Sequence, residues 1–127
     1  AIVRAVNYLY PEHTRKIAKT TGDSINNRGL TKAMNKLKGT ALIVEGAGAI
    51  QPKRMSEMLE CLEQDTERMI VILEDSDAEM NVLLNFNPEM TQKFNHRIVL
   101  KQYTVNEENL QENASMKSVM MRCWNFI

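Results

Sequence analysis

The chain has 127 residues, with 16 Lys+Arg against 16 Asp+Glu, 43% hydrophobic residues and two cysteines. This is one domain's worth of chain, able to bury roughly two-thirds of its unfolded surface without disulfides or metal. Its balanced charge, with no block of five like charges, excludes the electrostatic footprint of a nucleic-acid binder. No apolar stretch approaches the ~20 residues that cross a bilayer, and residues 1–10 lack a basic segment followed by a cleavage site. Cys61 and Cys123 form no Cys-x-x-Cys pair, and only His13 and His96 could supply imidazoles, too few parts for a zinc site. A single cytoplasmic domain with reduced cysteines, no membrane and no nucleic-acid partner is the expectation.

Periodicity predicts alternating helices and strands. Ile2, Ala5, Val6 and Leu9 fall at helical spacing, and Pro11 stops that helix. Residues 15–20, RKIAKT, place one strong apolar residue between lysines, which suits a charged edge strand near 16–20. Leu30, Ala33, Met34 and Leu37 form the i, i+3, i+4, i+7 stripe of a short helix closed by Gly39. The continuous run 41–44, ALIV, reads as a strand buried on both faces and ended by Glu45. After GAGAIQ, Pro52 suits the first position of a helix whose stripe is Met55, Met58, Leu59 and Leu62, all expected to face the sheet. Residues 69–73, MIVIL, form a second buried strand ended by Glu74 and Asp75, and the two central strands should be adjacent. Ser76-x-x-Glu79 has capping-box spacing and opens a helix that Pro88 interrupts; residues 97–100, RIVL, form another strand. Thr104-x-x-Glu107 repeats the capping spacing and predicts a final helix to Cys123. The pattern implies a three-layer α/β sandwich on a mostly parallel sheet of about four strands.

Ligands of open α/β sheets lie beyond the carboxyl ends of the strands, which here present Glu45, Glu74 and Asp75. On strands ~4.8 Å apart these carboxylates either share a hard cation such as Mg²⁺ or simply end strands and cap the next helix. Lys101 after the last strand hints at a phosphate-receiver site, but the acid pair needed on the first strand is missing. Neither Gly-x-x-x-x-Gly-Lys-Ser/Thr, Gly-x-Gly-x-x-Gly nor Gly-x-Ser-x-Gly occurs, and no orienting group sits beside His96, so no catalytic residue is assigned. Trp124, Phe126 and Ile127 need an apolar surface to pack against.

From about Lys16 to Leu110 the order of landmarks resembles the AAA+ ATPases of the red-type rubisco activase and sporulation-protein-K group. Residues 40–50, TALIVEGAGAI, are similar to that family's Walker B strand and exit, of the type Val-Leu-Phe-Ile-Asp-Glu-Ala-Tyr-Ala-Leu. IVILEDSDAEM at 70–80 follows at similar spacing, then NPEMTQKF at 87–94, RIVL at 97–100 and YTVNE at 103–107. The resemblance implies a P-loop NTPase core whose P-loop strand lies between the third and last strands of this chain. It places Glu45 at the Mg²⁺-binding Asp, Gly46 at the water-activating Glu and Lys93 at an arginine-finger-like position. It also places the P-loop upstream of Ala1, so that the chain reads as a fragment of a larger protein. With the base replaced by a hydrogen atom and the fork-shaped guanidinium by an ammonium, autonomous hydrolysis is not expected. The chain then reads as a degenerate AAA+-like domain, an interaction or regulatory module with a protein partner or neighbouring domain and no cofactor of its own. The alternative is an ATP-binding AAA+ lobe that uses ATP and Mg²⁺ with an upstream P-loop. Without the P-loop strand the sheet has a central gap, which the strand at 97–100 or another chain is expected to close.

Overall fold

The computed structural model describes residues 16–37, 39–65, 69–106 and 111–122. They form an α/β fold around one five-stranded mixed sheet: β1 (Ile17–Thr21), β2 (Ala41–Glu45), β3 (Ile70–Ser76), β4 (His96–Asn106) and β5 (Gln111–Arg122), in the order β1-β2-β3-β5-β4. The described helices are α1 (Gly22–Arg28), α2 (Thr31–Lys36), α3 (Pro52–Glu63) and α4 (Asp77–Phe86), with 3-10 turns at Ala47–Ala49 and Pro88–Gln92.

The first three strands run parallel and step in one direction across the sheet, and β4 points the same way two positions beyond β3. Right-handed crossovers that all step one way put their helices on one face. The packing agrees, since all four described helices feed a single cluster. Ile25, Met34, Met55, Met58, Leu62, Met80, Leu83 and Phe94 meet Leu42, Val44, Val71, Leu73 and Met120 there. On the opposite face Ala41, Ile70, Ile72 and Val119 are buried in a separate, smaller cluster, to which the described helices contribute nothing. The runs 41–44 and 69–73 are therefore continuous because each strand feeds two clusters.

Local chemistry sets most boundaries. The Thr21 hydroxyl accepts from the Ser24 N–H (3.1 Å) and starts α1, and Pro52 starts α3. Ser76 accepts from the Glu79 N–H (3.3 Å) and starts α4, where Asp77 and Glu79 complement the helix dipole. Pro88 stops α4 at Phe86, and Gly39 adopts a left-handed φ of 76° just past α2.

Several expectations change. The described residues do not form the expected three-layer sandwich on about four strands: the sheet has five strands, and all four described helices pack on one face of it. The sheet is not mostly parallel: two of its four pairings are antiparallel, and these are the longer ladders. The stretch predicted as a C-terminal helix is instead the end of β4 and all of β5, a hairpin. Its β5 arm fills the central position itself, so neither β4 nor another chain closes up against β3. Tyr103, Thr104 and Val105 are strand formers, and a capping-box spacing does not outweigh them once a partner strand is present. Finally, Leu59 is only half-buried, while Met55, Met58 and Leu62 are fully buried. The predicted helix before Pro11, the end of the chain from Cys123 and residue Glu107 lie outside the described residues.

Candidate functional site

The carboxyl ends of β1, β2 and β3 carry the predicted acidic residues. Glu45 pairs in register with Thr21 on one side and Glu74 on the other, so the Glu45 and Glu74 side chains leave the same face of the sheet. Each has a cation from its outer neighbour strand. Lys19 of β1 reaches Glu45 at 4.0 Å in an exposed pair, and Lys117 of β5 sits on the less exposed Glu74.

Asp75 alternates to the other face and does different work. Its Oδ2 accepts from the Gly48 N–H (2.8 Å) and its Oδ1 from the Ser76 N–H (2.7 Å). The carboxylate thus holds the turn after β2 down against α4. That turn is fixed from the other side by Asn26 of α1, whose Nδ2 donates to the Ala49 carbonyl (2.7 Å) while its Oδ1 accepts from the Gln51 N–H (2.9 Å). Arg54 ties the same corner to α3, donating from Nε to the Asn26 carbonyl (3.3 Å) and pairing with Glu57 at 3.0 Å.

Glycine is required in this turn by close approach. A Cβ at Gly48 would stand 2.7 Å from the Glu79 Cβ and 2.8 Å from Asp75 Oδ2, and one at Gly22 would stand 2.4 Å from the Gly46 carbonyl oxygen. Gly22→Ala is therefore expected to destabilise by about 1–3 kcal/mol, because backbone rather than a flexible side chain must yield. Urea denaturation checks it; an unchanged midpoint would mean that α1 and the turn are not packed in this way.

The three predicted carboxylates do not converge. Glu45 and Glu74 lie together, but Asp75 faces away and both its oxygens already accept amide hydrogens. Among the described residues no group of three His, Cys, Asp or Glu side chains converges to hold a metal ion. Gly46, which follows β2, has a left-handed φ of 62°. Lys93 is not brought to this edge: it lines a groove of about 270 Å³ with Ser56, Leu59, Glu60, Glu63, Glu89 and Gln92, along the second half of α3.

Two further groups have no counterpart in the sequence reading. Arg97 of β4 donates from Nε to Ser118 Oγ (2.9 Å) and from one terminal nitrogen to Asp77 (2.6 Å) and Asn81 (2.9 Å), linking β4, buried Ser118 and the start of α4. Cys61 lines a cavity of about 220 Å³ with Thr31, Met34, Asn35, Gln64, Asp65 and Met69. Burial, then the carboxylates of Glu60 and Glu57, push its thiol above the ordinary cysteine value, which suppresses the nucleophilic thiolate. Asn26 and Arg97 could not have been found from spacing, because each acts across the fold on backbone or on a residue distant in sequence.

The chain matches no protein-family profile, no curated protein and no solved structure. None of the described helices is long and apolar enough to cross a membrane.

Proposed function

We propose that this chain is a degenerate AAA+-like α/β domain without autonomous ATPase activity, acting as an interaction or regulatory module. The observation that carries this reading is the occupant of the sheet position between β3 and β4. The resemblance assigns that position to the P-loop strand, running parallel to its neighbours. Here it holds β5, antiparallel to both, with six residue pairs to β3 and eleven to β4. A strand so placed and so directed cannot deliver a phosphate-wrapping loop to the carboxyl edge, where positioning and charge stabilisation of a phosphoryl group would have to occur.

The edge itself is occupied by structure. Lys117 sits on Glu74, Asp75 holds the turn, and Gly46 has no side chain to activate water. Support for an interaction role comes from the hairpin. Beyond the last pair with β3, Ser76 with Lys117, β4 and β5 continue as a two-stranded ribbon from Lys101↔Met116 to Asn106↔Gln111. Two-stranded ribbons are marginal by themselves and gain from a third element.

Calorimetric titration with ATP and Mg²⁺, beside a phosphate-release assay on the same sample, is expected to show neither micromolar binding nor turnover. Gly46→Glu has room for a side chain, with nothing within 4 Å of its Cβ, but adopts a strained left-handed backbone. It is expected to cost about 1–2 kcal/mol and to restore no activity. Turnover that Glu45→Gln abolishes would replace this reading with that of a working nucleotide site.

A further inference from the structure

The face of the sheet opposite the described helices is buried by something other than those helices. Ala41, Ile70, Ile72 and Val119 are 0%, 1%, 5% and 7% exposed within a single chain, and none of the four described helices contributes to their cluster. Cross-strand neighbours shield only the flanks of an isoleucine on a sheet face, so its tip stays wet until another layer lies on it. The register draws the outline of that layer. Ile17 of β1 pairs with Ala41 and Ile98 of β4 with Val119, so both belong to the same face, yet they are 42% and 41% exposed. The cover therefore lies over β2, β3 and β5 and stops short of β1 and β4. Two strand spacings make it about 10 Å wide, and the rise from Ile70 to Glu74, which is level with Val119, makes it about 13 Å long. These are the dimensions of one short helix; a second sheet, as a second copy of the chain would bring, covers Ile17 and Ile98 as well.

We propose that this face is the docking surface for the chain's own first ten residues, packed along β3 as an amphipathic helix. Ile2, Ala5, Val6 and Leu9 fall within about 100° of one another at helical spacing, and Arg4 and Asn7 fall opposite them. Ten residues make a helix about 15 Å long, and one so short holds its shape in water only by packing its apolar side. The segment can reach the face. β1 starts at Ile17, in register with Ala41 and one strand from the amino end of the cluster, and the six residues 11–16 can span up to about 20 Å. The other segments outside the described residues fit less well. Thr66, Glu67 and Arg68 offer no apolar side chain. Residues 107–110 connect the ends of β4 and β5 that lie about 40 Å along the sheet from the level of Ile70. Residues 123–127 follow Arg122, which is opposite Val71, and a reversal of direction uses about half of the five, leaving too few to cover a surface three strands wide.

The inference goes beyond the interaction-module reading and does not depend on it. Its test is photo-cross-linking in the full chain, with p-benzoylphenylalanine placed at Val6 or Leu9 and the products identified by mass spectrometry. Both positions are expected to link, within the same chain, to peptides carrying residues 41–43, 70–72 or 119–121. The same group at Asn7, on the opposite side of the helix, is expected to give at least about fivefold less of these products. Val6→Asp should lower the urea midpoint by about 1 M and raise the fluorescence of a dye that binds exposed apolar surface. Cross-links from Val6 and Leu9 to α1–α4, cross-links between chains, equal yields from Val6 and Asn7, or an unchanged midpoint in Val6→Asp would overturn the proposal. So would labelling of this face from position 124 but not from Val6, which would make residues 123–127 the cover. ATP turnover enters none of these readouts, so the two readings stand or fall separately.

Discussion

Phe94→Ala is expected to lower the stability of the fold by about 3–5 kcal/mol, the largest loss we assign to any single substitution. Phe94 follows the 3-10 turn Pro88–Gln92, is 1% exposed, and donates its N–H to the Met90 carbonyl at 2.8 Å. It belongs to the cluster that holds Met80, Leu83 and Met90, and among the described residues it is the aromatic ring in the fully buried set. The flexible methionines around the site can only partly collapse into the space it leaves, so a transfer term and a cavity term add. Against a total of about 5–15 kcal/mol for an ordinary domain, such a loss is a fifth or more of the whole and should lower the denaturant midpoint in proportion. Phe86→Ala is the control. Phe86 is 71% exposed at the end of α4 and should change stability by less than about 0.5 kcal/mol. Equal effects at the two positions would mean that the segment after α4 is not packed against the sheet.

The second large effect is expected at Asp75. Removing its carboxylate in Asp75→Ala leaves the Gly48 and Ser76 N–H groups without their acceptor, and is expected to cost about 1.5–3 kcal/mol. Asp75→Asn keeps one acceptor oxygen for two donors and should fall between the wild type and alanine. The comparison also separates two roles for the residue. A turn-holding carboxylate gives the same loss with and without Mg²⁺, whereas a cation ligand would give a wild-type melting temperature that climbs with Mg²⁺ concentration and an alanine variant that does not respond. Calorimetric melts of the three proteins at several Mg²⁺ concentrations decide between them.

The four strands β1 to β4 were legible because each is announced by a local pattern: lysines about Ile17, the unbroken runs ALIV and MIVIL, and RIVL after a proline-stopped helix. α1 was not, because Ile25 is its one buried apolar side chain and a single anchor has no period. β5 is hidden in the sequence for a different reason. Its pairing with β3 is specified by a partner remote in sequence, and its central Ser118 counts as polar in any pattern although Arg97 satisfies it in the interior. Local spacing at Thr104 then favoured a helix that the hairpin overrides. At the carboxyl edge, the neighbourhood of Glu45 and Glu74 followed from strand adjacency. The separation of Asp75 from Glu74 is a direct consequence of two-residue alternation, whereas the amides that Asp75 serves, and the lysines on the two glutamates, depend on the turn and on strand order.

The strand order also sets a sequence of events during synthesis. β1, β2 and β3 leave the ribosome with their helices and can associate at once through neighbouring crossovers, but the open side of β3 is covered only by β5, the last described strand to be made. Until then Met69, Ile70, Val71, Ile72 and Leu73, a run without charge or proline, lie on an unprotected edge of the nascent sheet. Because β4 and β5 form a hairpin, they can zip together locally and close that edge as a unit. A translational pause between β3 and β5 would lengthen the interval in which two nascent chains can pair through β3, so yield of the soluble protein should depend on how quickly the hairpin is completed.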